Sequence, residues 1–139
     1  MKTQTGGAYI AVALGGALGA LARALFVDIW PYTVAGMPLD LLVVNIGGSG
    51  LLAVVLVAGE RVFVPGHPRH HLWRPFMATG VLGGFTTTSA FAGVTAELIY
   101  FGNSAQALMF VGLSVVLSLI AFHLFHAITV NIVKPRGEF

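Results

Sequence analysis

The 139-residue chain is 57% hydrophobic and 9% charged, with a formal net charge of +2, no cysteine and a mean hydropathy of +0.90. A soluble domain carries about 25% charged residues, so there is too little charge here to clothe a water-facing globule, and the solvent is a bilayer. The seven cations are scattered and offer no surface that tracks phosphate, which removes nucleic acid as a partner. The lack of cysteine removes disulfides, thiolate metal sites and cysteine nucleophiles.

Four apolar stretches follow one another along the chain, at 7–27, 41–59, about 76–101 and 105–133. Each reaches the ~20 residues that a helix needs to cross ~30 Å of hydrocarbon. The expectation is an all-α membrane protein of four transmembrane helices forming a single membrane domain over residues 1–139. The first stretch follows Lys2 and contains Ala-rich triplets like those of a signal peptide, but it is overlong for one and three further spans come after it. The connections leave no room for a soluble domain. Pro31, Gly36 and Pro38 punctuate the first, Pro65, Gly66, Pro68 and Pro75 the second, and the third is little more than Gly102, Asn103 and Ser104.

Four spans put the N-terminus, the second connection and the C-terminus on one side, with Lys2, Arg61, Arg69, Arg74, Lys134 and Arg136. The other side has Asp28 and Asp40 in its loops, and Arg23 is the lone cation lying towards it. The positive-inside rule then places both termini in the cytoplasm.

A polar group within hydrocarbon is costly unless it faces a partner or a cavity. On the first span Gly15, Gly16 and Gly19 read as a packing surface. On the second, Asn45 stands in the run Val43-Val44-Asn45-Ile46-Gly47-Gly48-Ser49-Gly50 and reads by itself as helix-packing glue, since small residues and Asn cement helix contacts. The third span carries Gly83-Gly84-Phe85-Thr86-Thr87-Thr88-Ser89, two glycines before four hydroxyl residues in mid-membrane. That composition predicts a break in helix 3, whose carbonyls can meet a cation and whose hydroxyls and amides can meet an anion; a kink without a ligand is the alternative.

On the fourth span Phe110, Ser114, Ser118 and Phe122 recur every fourth residue and share a face. The two serines either form a polar track or bond their own i−4 carbonyls. His123 and His126 have a spacing that can share a metal but no third ligand, and read as interfacial histidines; His67, His70 and His71 form a loop cluster without acidic or Cys companions, a weaker zinc candidate still.

Together, Gly15-Gly16-Ala17-Leu18-Gly19-Ala20-Leu21-Ala22-Arg23, Val44-Asn45-Ile46-Gly47 with Gly50, and Gly83-Gly84-Phe85-Thr86-Thr87-Thr88-Ser89-Ala90-Phe91 resemble the CrcB/Fluc fluoride channels, in that family's order and over essentially the whole chain. The resemblance implies an antiparallel dual-topology dimer that exports fluoride passively across the plasma membrane through two pores at the subunit interface. It also implies a structural Na+ on the dimer axis, held by backbone carbonyls matching Gly83 and Thr86. The fluoride path then maps to Asn45, Thr87, Thr88, Ser89, Phe91, Phe110, Ser114 and Ser118, with Arg23 in a structural or vestibule position. A small, strongly hydrated anion needs amides, hydroxyls and ring edges as substitute donors, and no general acid, base or nucleophile.

Two departures from the family pattern stand out. Its first box phenylalanine is Thr88 here, followed by Ala90 for a threonine, and its helix-three glutamate is Val94, with Glu97 three residues on. With the charge bias, this raises an oppositely inserted paralogue beside self-association as the second subunit. A small multidrug-type exporter would need a buried acid in mid-helix, for which Glu97 is the candidate near the end of its span. A non-transporting helical assembly would use the glycines and hydroxyls only for packing.

Overall fold

The computed structural model describes residues 2–34, 36–62 and 70–133. Three of its helices are long and apolar enough to cross a membrane: Gly6–Ile29 within α1 (Lys2–Ile29), Leu39–Gly59 within α2 (Leu39–Val62), and Ser104–Ile132. The other apolar stretch is made of shorter pieces: α3 (His70–Arg74), a π-helical segment Pro75–Leu82, α4 (Gly83–Phe85) and α5 (Thr88–Tyr100); α6 (Ser104–Ile132) completes the helices of the described residues. Between α4 and α5 the backbone is extended, with φ/ψ of −74°/153° at Thr86 and −142°/120° at Thr87. The break therefore falls within the hydroxyl run.

The π-helical segment has no counterpart in the sequence reading, since its apolar residues carry the same composition as an ordinary span. Pro75 stands at its start, directly after α3 and with Arg74 still helical at φ −63° and ψ −48°, and its missing N–H interrupts the i→i−4 ladder there. This segment and α4 pack against α1, while α2 packs chiefly against α6, and α5 also rests on α6. The α1 contact is backbone on backbone. A Cβ on Gly19 would collide with the Val81 carbonyl, and one on Gly84 with the Gly16 carbonyl, which is the close approach that small residues permit between membrane helices.

The first connection holds a short hairpin, β1 (Thr33–Val34) paired antiparallel with β2 (Met37–Pro38), turning at Gly36 with φ of 78°. Strands of two residues are too short to show a period of two, so the sequence gives only its turn residues. Beneath the hairpin Met37, Leu41, Leu42, Leu98, Ala107 and Phe110 form a buried cluster. Trp30 stacks on Tyr32 with ring centres 5.5 Å apart. Gly102, at φ of 80°, makes the turn from α5 into α6.

The spans of α1 and α6 bury only 11% of their most apolar windows. Ile10, Leu14, Leu18, Leu21 and Leu25 are exposed along α1, and Leu108, Val116, Leu119 and Ile132 along α6, so the exterior requires an apolar solvent. The central part of the second connection, with Pro65, Gly66, His67, Pro68 and Arg69, lies outside the described residues, as do Lys134, Arg136 and the side chains of Lys2, Arg61 and His70.

Candidate functional site

A cavity of about 440 Å³ opens between α2, the broken stretch and α6. Asn45 and Ser49 reach it from α2, Gly83, Thr86, Thr87, Thr88 and Phe91 from both sides of the break, and Ser114 and Ser118 from α6. Four-residue spacing explains both helical contributions: 45 and 49 share a face of α2, and 114 and 118 share a face of α6. Ser49 is the hydroxyl-bearing lining residue that sequence reasoning does not single out. Its signal was its place one turn after Asn45.

The break decides how these groups are presented. Thr86 Oγ1 donates to its own i−4 carbonyl, Leu82 O, at 2.9 Å. Thr87 Oγ1 accepts from Ala90 N at 3.1 Å and so caps α5. Thr87 N donates to Asn45 Oδ1 at 3.0 Å, while Asn45 Nδ2 donates to Thr87 O at 3.4 Å. Of the four hydroxyl residues, Thr86 back-bonds within its own turn, Thr87 caps α5, Thr88 is exposed and lines the cavity, and Ser89 Oγ lies 3.3 Å from Thr87 Oγ1 outside the lining.

Three residues of the fluoride mapping stand behind or beside the cavity wall. Phe110 is 1% exposed and stacks on Phe91 with centroids 5.3 Å apart and planes at 28°; it backs the ring that does line the cavity. Arg23 is half-buried, and its Nε donates to Gly84 O at 3.4 Å. Ser89 is the third.

Ser114 is 5% exposed, and its Oγ has no hydrogen-bond partner among the described residues. The i−4 back-bond, which Thr95, Thr129 and Thr86 all make, is not made at Ser114. A buried hydroxyl without a partner costs ~1–3 kcal/mol, and the residue that carries this one borders the cavity. Because Ser114 gives up no protein hydrogen bond, Ser114→Ala is expected to leave the melting temperature unchanged or slightly raised, as thermal unfolding in detergent would measure.

The donor set at the break also suits a monovalent cation. Gly83 and Thr86 both border the cavity, and the Thr87 amide that would bond Gly83 O in a continuous helix is turned to Asn45 instead. Neutral carbonyl oxygens are the ligands a hard cation takes.

Glu97 lies elsewhere. It is exposed and lines a second cavity of about 370 Å³ with Thr33, Val94 and Asn103, between the hairpin and the end of α5. Asp40, which the sequence places in a loop, is 6% exposed in the first turn of α2, its Oδ1 accepting from Leu41 N at 2.8 Å. His123 is exposed on α6 with Nδ1 2.8 Å from Leu119 O, and Phe122 stacks against His126. Among the described residues no group of three metal-ligating side chains gathers.

Residues 10–125 match the family described as CrcB-like protein, Camphor Resistance (CrcB). The chain is 45% identical over 116 residues to the fluoride-specific ion channel FluC of Paracoccus denitrificans, covering 81% of this chain and 86% of that protein. It is 38% identical over 129 residues to the FluC of Rhodospirillum rubrum, covering 88% and 96%. Against the fluoride-specific ion channel FluC 2 of Streptomyces avermitilis the identity is 39% over 99 residues, covering 71% of this chain and 60% of that longer protein. With a cavity of hydroxyl, carboxamide and aromatic groups at a helix break, and a family match across most of its length, the chain belongs to the CrcB-like family.

Proposed function

We propose that the chain is a subunit of a fluoride-selective channel that lets fluoride leave the cytoplasm passively across the plasma membrane. Its family and the names of its relatives support this reading, and they put it among transport proteins rather than enzymes. The observation that carries it in the chain itself is Ser114: a buried, unpartnered hydroxyl beside a cavity that also receives Asn45, Thr88, Phe91 and Ser118. Fluoride loses a strong hydration shell on entering a low-dielectric path, and groups that present hydrogens compensate it. The hydroxyls, the carboxamide and the positive edge of the Phe91 ring supply them.

In this reading the broken stretch makes the fourth crossing, and a second subunit inserted in the opposite sense completes each pore. That subunit is either this chain again or a paralogue. A sodium ion held by the Gly83 and Thr86 carbonyls would supply a fixed positive charge at the break, and Arg23 a second one nearby. The side chains named above bind and orient the anion.

The test is fluoride efflux, followed with a fluoride electrode, from liposomes that contain only this purified chain, with chloride-loaded liposomes as the control. Rapid efflux of fluoride and none of chloride is the expected result for a self-paired channel. Absence of efflux from folded protein, persisting after reconstitution with an oppositely charged paralogue, would sink the reading. Two variants sharpen it. Ser114→Ala is expected to slow efflux about tenfold, the cost of one lost hydrogen bond of ~1.4 kcal/mol to a charged group, with Ser114→Thr restoring it. Thr88→Phe is expected to preserve or raise efflux, because a ring edge replaces an exposed hydroxyl in the same wall; a fall would mean that the Thr88 hydroxyl itself serves the anion.

A further inference from the structure

A helix break in mid-membrane must dispose of the backbone groups that the helix no longer pairs. On one side Thr86 N and Oγ1 both donate to Leu82 O, and on the other Thr87 Oγ1 caps α5 by accepting from Ala90 N. Among the groups the break sets free is the Thr87 amide, and one side chain from another helix meets both the N–H and the C=O of Thr87. Asn45 Oδ1 accepts from Thr87 N at 3.0 Å and Asn45 Nδ2 donates to Thr87 O at 3.4 Å. A carboxamide is the side-chain group that can answer an N–H and a C=O together, since it carries an acceptor and a donor in one plane. Two bonds from one rigid group fix both the rotation and the slide of the peptide they hold.

We infer that Asn45 is a positioning residue: its carboxamide pins Thr87 and thereby sets the break that brings Thr86, Thr88 and Phe91 to the cavity. The Arg23 guanidinium grips the same segment from α1 through Gly84 O, so the break is held from two helices. Asn45 retains one amide hydrogen for the cavity, and its principal engagement is with the protein. The importance of this for transport rests on the channel reading; the pin itself does not.

The test is residue-resolved amide hydrogen exchange on the full chain in lipid nanodiscs without fluoride. In the unsubstituted protein the Thr87 amide, although outside any helix, is expected to exchange at least about tenfold more slowly than an open-loop amide. Asn45→Leu, close in shape but unable to bond, is expected to speed exchange across residues 84–91 about tenfold while α6 stays unchanged. Asn45→Asp keeps an acceptor and is expected to leave the Thr87 amide slow, a rescue that a packing role would not give. Fast exchange at Thr87 in the unsubstituted protein overturns the inference, and that measurement stands even if Asn45→Leu fails to fold. Unchanged exchange at 84–91 in Asn45→Leu overturns it as well. Because no fluoride is present, a chain that passes no fluoride can still show the pin, and a conducting chain can still lack it.

Discussion

Asn45→Asp is expected to abolish fluoride efflux, by about a hundredfold or more, while the protein remains folded. The substitution is isosteric, and a carboxylate oxygen can still accept from Thr87 N, so the break keeps one of its two bonds from α2. The second bond is lost, because the carboxylate has no hydrogen to offer Thr87 O. The larger effect is electrostatic. Asn45 borders the cavity, and a negative charge there repels the incoming anion; at an effective dielectric of 20, two unit charges 4 Å apart interact by about 4 kcal/mol, which corresponds to nearly a thousandfold in rate. Fluoride-electrode traces from liposomes with matched amounts of folded protein would show it. Efflux at the unsubstituted rate would remove Asn45 from the anion's surroundings.

Gly19→Ala is expected to prevent recovery of folded protein. The added methyl would occupy the space of the Val81 carbonyl, and Phe85 N also lies inside ordinary contact distance. Both obstacles are backbone, so no rotamer change relieves them, and α1 must separate from the π-helical segment and α4 on which it packs. Overpacking in a tight core costs typically about 1–3 kcal/mol and more where nothing can yield. Without a hydrophobic drive between helices in lipid, close packing is a leading source of association. Gly6→Ala is the matched control, with nothing near its added methyl; it is expected to be neutral or to stabilise α1 slightly, by up to about 1 kcal/mol. Gel filtration and thermal unfolding in detergent separate the two, and normal folding of Gly19→Ala would show that α1 stands further from the third stretch than described here.

The chain's own pattern determined that it is a helical membrane protein, because hydropathy over ~20 residues acts locally and needs no partner to be read. It also marked Gly83 to Ser89 as the place where a helix would fail, since glycine and hydroxyl residues weaken helices by their own chemistry. The α1 glycines announced a close contact in the same way. The partners across helices were beyond it. That Asn45 would clasp Thr87, 42 residues on, depends on how α2 crosses the break, and no local rule encodes that crossing. The i−4 back-bond was an equal expectation for Ser114 and for Ser118, and only the packing of α6 shows that Ser114 does without it. Phe110 and Phe91 both read as path residues, yet burial places one ring behind the other. The π-helical segment and the small hairpin were likewise decided by tertiary contact, because each differs from its alternative by few residues and little local energy. Sequence composition selects the solvent and the weak points of the helices, and packing selects which polar groups are satisfied within the protein and which, like Ser114 Oγ, have no partner among the described residues.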